Sequence, residues 1–380
     1  MNIAIVCYPT FGGSGVVATE LGMALSRRGH QIHFVTYRQP VRLEALNQNL
    51  HFQEVHVPPY DLFHYQPYEL ALSSRLVGVV QQHSIDLLHV HYAIPHAYAA
   101  YMAKQMLLDQ GIHIPIVTTL HGTDITLVGK HPFYKTAVTF SIDHSDAVTA
   151  VSESLRQDTL AFFNPKKEVE VIPNFIDTSR YDSKEVPCPK SLLVSGKEKI
   201  LTHVSNFRPV KRILDVLEVF KHIQSQVDAK LLMIGEGPEK AKAQHFVRTH
   251  DLKSSVLFLG KSNQIHQILC FTDLFLLPSE QESFGLAALE AMVHKVPVIS
   301  TNVGGLPEVN KSGVSGYLFP VGAIREMADK AIEILLNPTH HNRLKVGAFE
   351  QAKTFDLPSV LDQYEQLYAR VLEASHQSIG

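Results

Sequence analysis

Cysteine, long apolar runs and an excess of either charge are all scarce in this sequence. Cys7, Cys188 and Cys270 are the only cysteines among 380 residues. They are scattered and odd in number, which gives neither a disulfide framework nor a metal knuckle. No uncharged apolar stretch approaches the roughly 20 residues a membrane-spanning helix needs. The chain opens on the strand-like Asn2-Ile-Ala-Ile-Val-Cys-Tyr8 with no basic leader, so a cytoplasmic protein is expected. A net charge of -3 with 19% charged residues argues against nucleic acid or an acidic surface as partner. The 22 histidines follow no His-Glu-x-x-His or comparable ligand spacing, Asp-x-Asp is absent, and no repeat or low-complexity segment occurs.

What is present is a recurring grammar of apolar strand, short loop and amphipathic helix. At this length two domains are expected. Residues 3 to 8 read as a β-branched-rich strand that runs into Gly12-Gly-Ser-Gly15 and a helix over Val16 to Arg28, with Gly29 as its cap and Gln31 to Tyr37 as the next strand. Further strands fall at 86–91, 115–120, 147–151 and 168–172, and Ser152-Glu-Ser-Leu-Arg156 opens a helix. The Pro-punctuated stretch through Tyr181, Pro187, Pro189 and Gly196 is the expected linker. The grammar restarts at Lys199 to Val204 and ends in an amphipathic helix from about Pro358 to Glu373. The fold class is therefore α/β, with two doubly wound Rossmann-like domains.

Three stretches carry candidate chemistry. The glycine-rich turn at Gly13, Ser14 and Gly15 precedes a helix, where backbone amides hold a phosphate or carboxylate. Its G-x-G-x-x-A form also fits a dinucleotide fingerprint, and with Arg38 after the second strand it leaves an NADP oxidoreductase as a rival. Ligands gather at the carboxyl ends of parallel strands, where Tyr92 and His121 stand; Tyr92, His91 and His96 read equally as packing residues. Arg208, Lys211 and Arg212 cluster before a helix and suit a diphosphate or, alternatively, a solvated turn.

The most informative stretch is Leu277 to Gly305. It reads as a buried strand, a polar loop, a helix from about Ser283 to His294, a short strand and a Gly-Gly turn. Glu282 and Glu290 are eight residues apart, one at the helix mouth and one about 12 Å further along it. Phe284, Gly285 and Leu286 offer first-turn amides to an anion. A sugar nucleotide fits this pattern, and so does an ordinary amphipathic helix with two glutamates.

Taken together, the glycine-rich turn, His121-Gly, the Lys211 loop and the E-x7-E pair with Phe284-Gly-Leu resemble the retaining GT-B glycosyltransferases of family 4 across essentially the whole chain. Cys7-Tyr-Pro, His89-Val-His-Tyr-Ala-Ile-Pro-His96, Thr119-Leu-His-Gly-Thr-Asp-Ile125 and Ser205-Asn-Phe-Arg-Pro-Val-Lys-Arg212 resemble more closely the branch that joins N-acetylglucosamine from UDP-GlcNAc to L-malate in bacillithiol biosynthesis. The resemblance implies domains at 1–176 (acceptor) and 199–356 (nucleotide sugar) facing across a cleft and closing over the donor. A linker at 177–198 joins them, and a C-terminal helix at 357–380 crosses back. It implies Glu290 on the ribose, and Glu282 with the amides of Phe284 to Leu286 on the sugar. His121 and Asn174 would take the sugar's other edge, and Lys211 the diphosphate. Ser205, Asn206 and Gly15 complete the donor set. Many relatives carry arginine where Asn206 stands, and Arg208 is expected to supply that charge. Gly13, Ser14, Tyr92, Thr119 and Arg156 are the acceptor candidates, with Arg38 and Arg42 as further basic residues in that half.

The same resemblance implies front-face attack with retention, no cofactor, no metal, no membrane span and no nucleic acid, and leaves a homo-oligomer open. A family 4 enzyme with another acceptor, the NADP oxidoreductase and a non-catalytic sugar-nucleotide sensor are the rivals.

Overall fold

The computed structural model describes residues 1–377 apart from 11, 42, 44–46, 60, 63, 182–197 and 263–264. It divides into two compact units, Met1–Asn174 with Pro358–Gly380, and Phe175–Leu357. Most of the expected linker, and Arg42, lie outside the described residues.

Unit 1 runs β1 (Asn2–Val6), α1 (Gly13–Arg27), β2 (Gln31–Thr36), β3 (Leu50–Glu54), α2 (Tyr68–His83), β4 (Leu87–His91), α3 (Tyr98–Leu108), β5 (Ile116–Leu120), α4 (Pro132–Asp143), β6 (Ala147–Ala150), α5 (Glu153–Phe163) and β7 (Val169–Val171). Its seven parallel strands lie in the order β3-β2-β1-β4-β5-β6-β7. β1, β4, β5 and β6 are almost wholly buried, which is why they read as apolar runs and not as alternating ones. Leu72, Leu76 and Val79 of α2 and Ala99, Ala103 and Leu107 of α3 pack on this sheet against Val6, Val35 and Val90. Each large side chain so buried contributes roughly 1.5–3 kcal/mol.

Unit 2 runs β8 (Lys199–Val204), α6 (Ile213–Gln224), β9 (Ala229–Ile234), α7 (Lys240–Thr249), β10 (Val256–Gly260), α8 (Ile265–Leu269), β11 (Leu274–Leu277), α9 (Leu286–Val293), β12 (Val298–Thr301), α10 (Leu306–Val309), β13 (Gly316–Phe319), α11 (Ile324–Leu336) and α12 (Pro338–Lys353). Its strands take the order β10-β9-β8-β11-β12-β13, all parallel. Both sheets therefore reverse direction beside their first strand, β1 against β4 and β8 against β11, and such switch points open a crevice at the strands' carboxyl ends.

The last helix, α13 (Leu357–Gln377), packs with unit 1. Tyr368, fully buried, places its hydroxyl 2.7 Å from His89 Nδ1 of β4, and Tyr364 places its own 3.3 Å from Thr119 of β5. Cys7 is buried and free, and Cys188 lies outside the described residues. No helix among the described residues is long and apolar enough to cross a membrane.

Candidate active site

In unit 1 the switch-point loops follow β1 and β4. α1 starts at Gly13 with no acidic residue in its first turn, and its amides at Gly13 and Ser14 have no intrahelical acceptor. Ser14 Oγ lies 2.7 Å from Tyr92 OH, so the loop after β1 and the loop after β4 meet through two hydroxyls. Tyr92 sits at φ +87°, a backbone region that costs a bulky residue about 1–3 kcal/mol and occurs where function fixes it. Gly15 is buried; a Cβ there would stand 2.4 Å from Tyr8 O and 2.6 Å from Thr10 O. Its place is thus to let the loop fold over the helix start, and the more exposed Gly13 and Ser14 hold the open side.

Asp124 organises the neighbouring loops. Only 2% exposed, it accepts from Ala93 N (2.9 Å), Gly122 N (2.9 Å) and His121 N (3.2 Å). Burial pushes its carboxyl up to about 6, opposed by those three amides. Tyr92 and His121 follow strands held by this one side chain, with ring centroids 5.2 Å apart. His121 is half-buried, and its Nε2 lies 2.8 Å from His91 Nδ1.

Thr119 is 1% exposed, and its hydroxyl is taken by His89 Nε2 (2.8 Å) and Thr149 Oγ1 (2.8 Å). Arg156 donates to Val169 O and Glu153 on α5. The structure therefore brings Ser14 and Tyr92 together and directs the polar groups of Thr119 and Arg156 to other partners. Asn174, 5% exposed, lies three residues beyond β7. Arg38 is exposed and reaches back to Pro9 O.

In unit 2 the switch-point loops follow β8 and β11. His203 Nδ1 donates to Leu276 O (2.8 Å), since a carbonyl only accepts; its Nε2 therefore accepts from Ser205 Oγ (2.8 Å), and Ser205 Oγ in turn accepts from Phe207 N. Ser205 is thus a loop anchor. Asn206 and Arg208 are exposed, and among the described residues Arg208 makes no ion pair. Arg212 spends its guanidinium on both carboxylate oxygens of Asp215 (2.6 and 3.2 Å).

Lys211 Nζ lies 2.5 Å from Glu282 Oε1, with side chains 18% and 12% exposed. Ser279 Oγ donates to the same oxygen at 3.0 Å, and Glu280 N donates to Val210 O at 2.7 Å, which laces the two loops together. Against the expected start near Ser283, α9 begins at Leu286 because Gly285 takes φ +105° and caps it. Glu282 therefore stands in the loop ahead of the helix, and only Glu290 is helical. Phe284 is buried with its ring edge against Phe355, 5.3 Å between centroids, so its backbone alone is offered to a ligand. Gly304, at φ +54°, holds the loop from behind: a Cβ there would fall 1.8 Å from Glu282 O. Asp124 and Ser279 were not singled out by sequence reasoning as site residues, and His91 read there equally as a packing residue; a buried acid three residues after a strand-end His was the available signal for Asp124.

Residues 188–351 match the model described as glycosyl transferases group 1, and residues 11–180 match Glycosyltransferase Family 4. The chain is 47% identical over 374 residues to the N-acetyl-alpha-D-glucosaminyl L-malate synthase of Bacillus anthracis, covering 98% of this chain and 97% of that one. In fold it is similar to sucrose-phosphate synthase from Thermosynechococcus elongatus, with a TM-score of 0.80 at 19% identity over 98% of this chain and 100% of that one. It is equally similar to Anabaena HepE, solved with UDP and glucose, with a TM-score of 0.80 at 19% identity over 97% and 99%. Two parallel-sheet units of this order, each with a polar switch point, define a GT-B glycosyltransferase. Within that class the chain belongs to glycosyltransferase family 4, and the oxidoreductase reading of the Gly13 turn falls away.

Proposed function

We propose that this protein is a retaining glycosyltransferase that moves N-acetylglucosamine from UDP-GlcNAc to the hydroxyl of L-malate, giving GlcNAc-α-malate in bacillithiol biosynthesis. The named activity of the Bacillus anthracis relative supports the substrates, and the Lys211–Glu282 pair is the observation that carries the chemistry. A diphosphate oxygen and a sugar hydroxyl want those same two partners: the ammonium meets phosphate charge, and the carboxylate accepts from a hydroxyl. Binding the donor thus exchanges one half-buried pair for two contacts. Glu290, further along α9, takes the ribose hydroxyls, and Arg208 adds a second cation without metal or cofactor.

The acceptor is held by unit 1. Amides at Gly13 and Ser14 suit one malate carboxylate, and the Ser14–Tyr92 hydroxyl pair fixes its orientation. The malate hydroxyl oxygen bonds to the anomeric carbon as the bond from that carbon to the UDP oxygen breaks. The hydroxyl proton passes to a phosphate oxygen of the leaving UDP, and Lys211 stabilises the charge that develops there. Attack from the face the phosphate leaves keeps the α configuration, and no protein nucleophile is used.

Release of UDP measured with L-malate and with other hydroxy acids and polyols tests this reading. Malate is expected to drive the fastest release; a phosphorylated polyol or lipid acceptor outpacing malate would replace it. Treatment with a chelator is expected to leave turnover unchanged, and loss restored by magnesium would overturn the metal-free scheme.

A further inference from the structure

The buried face of β4 and β5 carries a chain of imidazoles whose protons can be assigned. His91 lies opposite Thr119 in register, and strand alternation puts His89, His91, Thr119 and His121 on one side of the sheet. His96 Nδ1 is 2.5 Å from His91 O; the carbonyl only accepts, so that nitrogen carries the proton. His91 itself has one partner. Its Nδ1 is 2.8 Å from His121 Nε2, and its Nε2 is buried with no partner. Burial and the neighbouring His89, His121 and His96 keep the His91 ring neutral, so it holds one proton.

A proton on His91 Nε2 would strand a buried N–H donor. On Nδ1 it is donated to His121, and only a lone pair is left over. Orphaned buried donors are the rarer and costlier arrangement. We infer that His91 is a positioning residue that donates Nδ1–H to His121 Nε2 and so fixes His121 with its proton on Nδ1, the nitrogen left for substrate.

The consequence for transfer rests on the proposed function together with the placement of His121 at the donor sugar that the family resemblance implies. His121, whose own basicity burial lowers to about 3, offers a neutral N–H to a sugar oxygen. It cannot take the malate proton through that nitrogen. This agrees with proton transfer to the leaving phosphate and removes His121 as general base.

Nitrogen NMR of the full chain with isotopically labelled histidine tests the assignment directly, since protonated and bare ring nitrogens resonate far apart. His121 is expected as the Nδ1–H form in the wild type; an Nε2–H form overturns the inference whatever the activity. In His91→Leu the Nδ1–H preference should be lost, with kcat/KM down about tenfold, the weight of one hydrogen bond. His91→Asn, which restores a donor near Nδ1, should stay within about threefold of wild type. Equal losses in the two variants would make His91 a packing residue only and overturn its positioning role. If His91→Leu does not fold, the wild-type spectrum and His91→Asn still decide. A wild-type rate in His121→Ala beside an Nδ1–H spectrum would fault the placement of His121 at the sugar and leave the tautomer assignment standing.

Discussion

At and beside the switch point of unit 1 stand Ser14, Tyr92 and His121, neutral groups of which the first two meet through their hydroxyls and the third bonds to the buried His91. At the switch point of unit 2 stand Lys211 and Glu282, a charged pair with the exposed Arg208 nearby. Apart from the added β7 at the edge of unit 1 the strand order is shared, so at the two switch points the difference lies in the loops. In the proposed reaction a small dianionic acceptor is recognised by directed amides and hydroxyls without a competing charge. A leaving diphosphate gains negative charge in the transition state and needs cations. On the proposed function, one scaffold used twice supplies orientation in one half and electrostatics in the other.

That contrast breaks most sharply at Lys211. Lys211→Ala is expected to lower kcat by about a hundredfold to a thousandfold, the range for removing one transition-state charge partner, with KM for the donor changing much less. An unchanged kcat would show that unit 2 only binds. Gly304→Ala pushes a Cβ into Glu282 O and should cost about a hundredfold in kcat/KM, as a displacement of about 1 Å does. Wild-type kinetics in that variant would mean the Glu282 loop is not held from behind.

Acid should separate the halves by stability. In unit 1 burial lowers His33 and His96 to about 4 and His89 and His121 to about 3, and His91 well below its ordinary value. In unit 2 it lowers His203 and His294 to about 4, and His341. These folded-state values lie below the unfolded value, so the stability is complete above about pH 6.5 and is lost as pH falls below it. Each imidazole that stays neutral adds about 1.4 kcal/mol per pH unit to that loss. Hydrogen exchange at about pH 5 should therefore open β4 and β5 of unit 1 before β8 and β11 of unit 2, and the reverse order would contradict the imidazole account. The smallest effect is at Ser14. Ser14→Ala should raise KM for malate roughly threefold to tenfold and leave KM for the donor unchanged.

Much of this was legible in the chain because function and fold share residues at strand ends. Apolar runs located β1, β5, β8 and β11, and the polar loops behind them held Ser14, Lys211 and Glu282. The start of α9 was misplaced by three residues because Gly285 reads as part of an amide-bearing first turn until its left-handed conformation is seen. β3 escaped notice: in Leu50–Glu54 only Leu50 is buried, as befits an edge strand with little apolar signal. Thr119 looked available for malate because strand alternation does not reveal that α13 returns to cover that face. His91 acts through His121, and nothing in local sequence announces a partner 30 residues away.

The central claim is that one chain joins these two chemistries in a single transfer. Mass and anomeric analysis of the product formed from UDP-GlcNAc and L-malate tests it most directly. A product of the combined mass of N-acetylglucosamine and malate less one water, with the α linkage of the donor, is predicted. Free N-acetylglucosamine alone, or a β-linked malate product, would contradict it.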